Sequence, residues 1–189
     1  MEIFLINHTT PQVPQGLCYG QLDLEPSDSF YTEVERLESL LPDTEPDICY
    51  SSPLSLCRKL SGNLCPEQTV HYDDRLLDLN YGQWEGQYWD HIDPMELHQW
   101  SQQFTHVAPP RGESYNDLFQ RCITFWEKLM EQPIRQAYIV THGEVIRVLL
   151  VHILGMPLQN IFRLQVDYNS VSMIHFTGNQ LQIGYINRR

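Results

Sequence analysis

The chain has 189 residues, 42% of them hydrophobic and 19% charged, which is the composition of a globular protein long enough to bury one large core. Its formal net charge of −12 disfavours nucleic acids and anionic membranes as partners. No apolar run approaches the ~20 residues that a membrane span requires.

The first half of the chain alternates short apolar runs with amphipathic segments. The predicted elements are a strand over 2–6, a helix over 27–41, a strand over 48–50, a helix over 52–64 and a strand over 69–71. Residues 9–26 are rich in Pro, Gly and Gln, which predicts a loop. Ser52 and Pro53 are expected to be the N-cap and first residue of the second helix.

The second half begins with an irregular, aromatic stretch. We expect residues 73–112 to form a lid-like insertion over packed aromatic side chains: Trp84, Tyr88, Trp89 and Trp100. The elements predicted after it are a helix over 113–130, a strand over 138–141, a helix over 144–154 and strands over 170–176 and 181–186. Thr177-Gly178-Asn179 is expected to be the turn between the last two strands.

Strands and helices alternate over most of the chain. This order predicts an α/β fold of three layers, with a mainly parallel central sheet, helices on both faces and an antiparallel hairpin at one edge. We expect a single domain over residues 1–189. No basic stretch precedes an apolar segment at the N-terminus, so the expected location is cytoplasmic. The five cysteines form no CxxC pair and support neither a metal site nor a disulfide framework.

Two histidines stand at the ends of strand-like runs. His8 follows the run 3–7, and His142 follows the run 138–141. Polar residues at the carboxyl ends of strands form the sites of open α/β sheets. Gly143 would let a ligand approach the backbone, where the start of the next helix favours a phosphate or carboxylate. A neutral imidazole is also a nucleophile toward phosphorus, although each histidine alone is compatible with a structural role.

Five segments favour a functional site at the two histidines over a structural role. They are Asn7-His8-Thr9, Tyr50-Ser51-Ser52-Pro53-Leu54, Leu79-Asn80-Tyr81-Gly82-Gln83-Trp84-Glu85-Gly86, Gly112-Glu113-Ser114 and Thr141-His142-Gly143. In this order they resemble the motifs of the histidine phosphatase superfamily, over nearly the whole chain. The resemblance implies a phosphoglycerate mutase-like fold and hydrolysis of a phosphomonoester through a phosphohistidine, with no metal or cofactor.

The same resemblance implies the roles of three residues. His8 would attack phosphorus, Asp78 would be the acid that protonates the leaving oxygen, and His142 would contact the phosphoryl group and help neutralise its charge. The segment Cys18-Tyr19-Gly20-Gln21-Leu22-Asp23 and the pair Cys57-Arg58 look most like α-ribazole phosphatases. That similarity implies α-ribazole 5′-phosphate, from cobalamin biosynthesis, as substrate, with Tyr19 a candidate to stack on its ring.

Three positions depart from the family pattern. Asn7 and Leu56 stand where the family has arginines, and Asp78 stands where it has glutamate. A phosphomonoester is close to a dianion at pH 7, and guanidinium groups are the usual means of holding it. Asn7 can still donate a hydrogen bond, but it carries no charge. We therefore expect reduced activity.

Several arginines are candidates to replace the missing charge. Arg58 is two residues past Leu56, about 200° around a helix, which favours a surface position unless the helix start is distorted. Arg111 precedes Gly112 in a loop expected near the site. Arg121 and Arg147 are expected to form ion pairs.

The sequence leaves three functions open. The first is the α-ribazole 5′-phosphate phosphatase described above, and the second is a general phosphomonoesterase for small molecules. The third is a catalytically impaired relative that binds or regulates, which the loss of both arginines favours. A mutase is disfavoured, because this short chain lacks a longer insertion near the site.

Overall fold

A six-stranded sheet forms the centre of the molecule. In the computed structural model, which describes residues 1–178 and 180–189, the strands are Glu2–Asn7 (β1), Ile48–Ser51 (β2), Val70–Tyr72 (β3), Gln136–Thr141 (β4), Val171–Thr177 (β5) and Gln180–Arg188 (β6). Their order is β3-β2-β4-β1-β5-β6. The first four strands in that order pair in parallel, and β5 pairs antiparallel with β1 and β6. The prediction of a mainly parallel sheet with an antiparallel edge is confirmed, while Asn179 of the predicted turn lies outside the described residues.

Helices cover the sheet on both faces. They are Phe30–Glu38 (α1), Ser55–Leu64 (α2), Pro94–Gln103 (α3), Tyr115–Met130 (α4) and Gly143–Ile153 (α5). Short 3-10 helices occur at Asp74–Leu76, Gly82–Trp84, Trp89–His91 and Leu158–Arg163. Across the described ranges, no helix is long and apolar enough to cross a membrane.

The central strand β1 shows why the fold has three layers. Its side chains alternate between the two faces of the sheet. Ile3 and Leu5 belong to the larger buried cluster, with the apolar faces of α4 and α5. Phe4 and Ile6 belong to the smaller cluster, with α1 and α2. Each face of the sheet therefore has its own core, as the predicted three-layer architecture requires.

Two predicted helix starts are wrong. The helix predicted from residue 52 begins at Ser55 with Leu54 as N-cap; the Ser52 hydroxyl accepts only a long hydrogen bond, 3.4 Å, from the Leu54 N–H and has its shorter contact, 2.8 Å, with Nε2 of His142. The helix predicted over 27–41 is limited to Phe30–Glu38.

The aromatic stretch 73–112 is more ordered than its sequence indicates. It contains α3, whose N-terminus is fixed by Pro94 in the first turn and by Asp93, which accepts hydrogen bonds from two backbone N–H groups. Trp84 and Trp100 are buried edge to face, with ring centroids 5.7 Å apart, which confirms the predicted aromatic packing for these two. The lid-like behaviour of the stretch stays a prediction.

Candidate active site

Strand pairing brings the two predicted histidines together. β1 and β4 are parallel neighbours with Asn7 opposite Thr141, so the next residue of each strand, His8 and His142, emerges at the same edge of the sheet. Their ring centroids are 5.0 Å apart, and both side chains are buried. Two residues separated by most of the chain thus form one site.

The surroundings of His8 fix its tautomer. Its Nδ1 lies 2.7 Å from the carbonyl oxygen of Thr9, which can only accept a hydrogen bond. Nδ1 therefore carries the proton, and Nε2 keeps its lone pair. Burial lowers the pKa of His8 to about 4, so the ring is neutral at physiological pH. A neutral imidazole with a free Nε2 is the nucleophilic form.

His142 is held between the start of α2 and the segment that carries Asp78. Its Nε2 contacts the Ser52 hydroxyl at 2.8 Å and the Cys57 thiol at 3.6 Å. Its Nδ1 lies 3.9 Å from a carboxyl oxygen of Asp78. Burial, with the neighbouring His8, lowers the pKa of His142 well below its usual value, so this ring is also neutral. His142 can offer an N–H but brings no positive charge of its own.

Asp78 has the protonation state of an acid catalyst. It lies in the segment after the first 3-10 helix, is 7% exposed, and accepts one hydrogen bond from the backbone N–H of Leu79. Burial and the nearby negative charge of Glu144 raise the pKa of Asp78 to about 8. The carboxyl group is therefore protonated at neutral pH and can donate a proton.

These groups surround a cavity of about 270 Å³. Its lining residues are Asn7, His8, Tyr19, Asp78, Gly143, Glu144, Arg147, Val166, Asp167 and Tyr168. Five residues singled out in the sequence, at positions 7, 8, 19, 78 and 143, are thus brought together. His142 is not among the lining residues; its ring packs edge to face against that of His8.

The structure does not bring Arg58 or Arg111 to this cavity. Arg58 is exposed and its guanidinium stacks over the ring of Tyr72, 4.5 Å from the centroid, as its position on the far side of α2 from Leu56 indicates. Arg111 is exposed in a turn at φ 61°, where its backbone packs against Gly82. Leu56, at the second arginine position of the family, is buried in α2.

Four of the lining residues were missed by the sequence reasoning: Glu144, Val166, Asp167 and Tyr168. Arg147 forms the ion pair expected of it, with Glu144, but its place on the cavity wall was not predicted. Glu144 and Arg147 follow Gly143 on α5, so their places in the first turns of this helix were the available signal. The loop with Tyr168 carries no motif. It reaches the site because β5 pairs with β1, and the Asn169 N–H then bonds to the His8 carbonyl at 3.0 Å.

Asn7 is only a partial replacement for an arginine. Its amide nitrogen already donates to the Asp167 carbonyl at 2.8 Å. Its buried Oδ1 has no hydrogen-bond partner among the described residues. The cavity wall otherwise carries the protonated Asp78, the carboxylates of Glu144 and Asp167, and the guanidinium of Arg147. The wall is therefore less positive than a phosphate dianion would favour.

A second, smaller cavity adjoins the first. It has a volume of about 160 Å³ and shares Tyr19, Asp78 and Glu144 with the larger one. Its remaining wall includes the rings of Tyr81 and Trp89. The hydroxyl of Tyr19 is hydrogen-bonded to that of Tyr168, whose ring lies 5.3 Å from that of His8. A planar group entering beside Asp78 would meet aromatic rings.

Comparison with known proteins agrees with this geometry. A curated α-ribazole phosphatase of Escherichia coli, named adenosylcobalamin/α-ribazole phosphatase, is 24% identical, over 100% of this chain and 97% of its own. Phosphoserine phosphatase 1 of Hydrogenobacter thermophilus is 23% identical, over 93% and 86% of the two chains. The crystal structure of α-ribazole phosphatase from Shigella flexneri superposes with a TM-score of 0.91 at 24% identity, over 99% and 96%, and so has the same fold. A sequence model of the histidine phosphatase superfamily (branch 1) matches residues 3–189, and the chain belongs to that superfamily.

Proposed function

We propose that the protein is a phosphatase that hydrolyses a small phosphomonoester through a phosphohistidine on His8. The observation that carries this proposal is the pairing, on one cavity, of a neutral His8 with free Nε2 and a protonated Asp78. A nucleophile and an acid with oppositely shifted pKa values suit a two-step displacement.

The proposed reaction has two steps. In the first, Nε2 of His8 forms a bond to phosphorus, the ester P–O bond breaks, and the leaving oxygen takes the proton of Asp78. In the second, the Asp78 carboxylate takes a proton from water, whose oxygen attacks phosphorus and breaks the P–N bond. Inorganic phosphate leaves, and both groups return to their starting states.

We propose α-ribazole 5′-phosphate as the substrate. The named relative from Escherichia coli and the fold shared with the Shigella flexneri enzyme support this choice. The adjoining cavity with Tyr19, Tyr81 and Trp89 also suits a leaving group that carries a planar aromatic ring better than an amino acid. The phosphoserine phosphatase relative makes phosphoserine the necessary comparison.

Turnover of three compounds tests the proposal: α-ribazole 5′-phosphate, phosphoserine and p-nitrophenyl phosphate. We expect phosphate release from the first to have the largest kcat/KM, and His8→Ala to abolish release from all three. His98→Ala, a substitution at an exposed histidine of α3, should behave like the parent. Equal rates for the parent and His8→Ala would contradict the proposal.

A second candidate function has its own support. Asn7 and Leu56 leave two phosphate-binding positions uncharged, which favours a protein that binds a phosphorylated ligand without turning it over. In that case α-ribazole 5′-phosphate would bind, as measured by calorimetry, while phosphate release would not exceed that of His8→Ala.

A further inference from the structure

Two arginines, Arg121 and Arg147, lie close to Asp78, and they differ in how many of their N–H groups are already hydrogen-bonded. A guanidinium has five N–H donors. Arg121 uses all of them: two go to the carboxylate of Glu113 and three to the backbone carbonyls of Arg75, Leu77 and Asp78. Arg121 therefore holds the segment that carries Asp78 and has no donor left for a ligand.

Arg147 is bound less completely. Its Nε donates to the Leu164 carbonyl at 3.0 Å, Nη1 to Glu144 at 2.6 Å, and Nη2 to the Val166 carbonyl at 3.5 Å. Two of its five N–H groups thus have no acceptor in residues 1–178 and 180–189. Arg147 lines the cavity with His8, and within the same ranges no other guanidinium does.

The position of Gly143 shows where Arg147 and Asn7 converge. A Cβ atom on Gly143 would lie 3.5 Å from Nη1 of Arg147 and 3.6 Å from Nδ2 of Asn7. Both nitrogens therefore approach one small space at the start of α5, which only the absence of a side chain keeps open. An anion seated there would be within reach of the guanidinium.

Glu144 competes for the same guanidinium. One of its carboxylate oxygens accepts from Arg147, and the other accepts from the Tyr115 hydroxyl at 2.8 Å. The carboxylate is thus tethered beside the arginine and cancels part of its charge.

We infer that Arg147 binds the phosphoryl group in place of the two missing arginines, and that its ion pair with Glu144 weakens this binding. This inference rests on the proposed function and deepens it. The phosphate-binding guanidinium would then come from α5, three residues after Glu144. In the family pattern it would come from β1 and α2, at positions 7 and 56. Binding by Arg147 also explains how a site that lacks charge at positions 7 and 56 can hold an anion.

Binding of inorganic phosphate, measured by titration calorimetry, tests the inference independently of turnover. Because a hydrogen bond to a charged group is worth roughly 1.5–3 kcal/mol, Arg147→Gln should weaken phosphate binding about 10- to 100-fold. Glu144→Gln should strengthen it, by about threefold or more. Arg147→Lys should lie between the parent and Arg147→Gln, because it keeps the charge but loses the fork of donors.

The opposite expected changes in phosphate affinity, a loss in Arg147→Gln and a gain in Glu144→Gln, distinguish an effect of charge from a structural role of the ion pair. If the ion pair only braced the loop 164–168, breaking it from either side would weaken phosphate binding, and a loss in Glu144→Gln would overturn the inference. Unchanged affinity in Arg147→Gln, or no phosphate binding by the parent, would overturn it too. Arg163→Gln, at an exposed arginine, is the matched control, and thermal unfolding shows whether each variant is folded. Failure of the proposed function would instead appear as absent His8-dependent turnover while phosphate still binds.

Discussion

At the scale of single residues, the site works by burial more than by charge. Desolvation moves the pKa of His8 down to about 4 and that of Asp78 up to about 8, so that both are neutral between these values. A neutral base and a neutral acid can then coexist on a cavity wall with few cations. The shorter side chain of aspartate is accommodated because Asp78 is held in place by its own backbone: its carbonyl accepts from Arg121, and its Oδ1 accepts from the Leu79 N–H.

The protonation state of Asp78 makes a prediction about pH. An acid must be protonated to act, so kcat/KM should fall as pH rises through about 8, where this carboxyl ionises. Asp78→Asn should remove that alkaline limb and lower turnover of an alkyl phosphate roughly 10²- to 10⁴-fold. The loss should be smaller for p-nitrophenyl phosphate, whose leaving group needs less help from an acid.

The exposed Asp74 provides the control for this measurement. Asp74→Asn should keep both the rate and the pH profile of the parent. An alkaline limb that persists in Asp78→Asn would show that another group titrates there, and the assignment of Asp78 as the acid would be wrong.

At the scale of elements, local signals explain some boundaries and not others. Ser114 is the N-cap of α4, one residue after the predicted start of this helix: its hydroxyl accepts from the backbone N–H of Asp117, whose carboxylate accepts from the Ser114 N–H in return. Ser52 offers the same chemistry, yet its hydroxyl contacts His142 and the helix starts three residues later. Sequence alone could not separate the two serines, because the partner of Ser52 is ninety residues away in the chain.

The capping box of α4 makes a prediction about stability. Ser114→Ala should lower the free energy of unfolding by about 1 kcal/mol, since the backbone N–H of Asp117 would lose its acceptor and the Asp117 carboxylate would lose the Ser114 hydroxyl that donates to it. Urea unfolding measures this change. Ser101→Ala, which removes an exposed hydroxyl within α3 that donates to the His98 carbonyl, should change the midpoint far less. Equal effects of the two substitutions would mean that the cap contributes no more than an exposed serine.

At the scale of the whole molecule, the sequence predicts the scaffold better than the cavity wall. The order of apolar runs and amphipathic segments was enough to predict a mainly parallel sheet, and the strand ends were enough to pair His8 with His142. Cavity residues on segments without a sequence pattern were not predicted, because only the pairing of strands distant in sequence brings them to the cavity. Tyr168 reaches His8 through the pairing of β5 with β1, and Arg58 turns away because the orientation of α2 buries Leu56.

The net charge of −12 is a property of the whole molecule that affects binding of an anionic substrate. Such a surface repels a dianion, and the cavity wall itself adds the carboxylates of Glu144 and Asp167. Binding of a phosphomonoester must therefore depend on a few donors placed close to phosphorus.

The most direct test is to trap the phosphorylated protein. The parent is mixed with α-ribazole 5′-phosphate or p-nitrophenyl phosphate, quenched in base, which preserves phosphohistidine, and the peptides are analysed by mass spectrometry. We expect a phosphoryl group on His8, formed at least as fast as phosphate is released, and its accumulation in Asp78→Asn with p-nitrophenyl phosphate, because the second step also uses that carboxyl. Phosphate release from the parent with His8 unmodified at every time point would contradict a phosphohistidine mechanism.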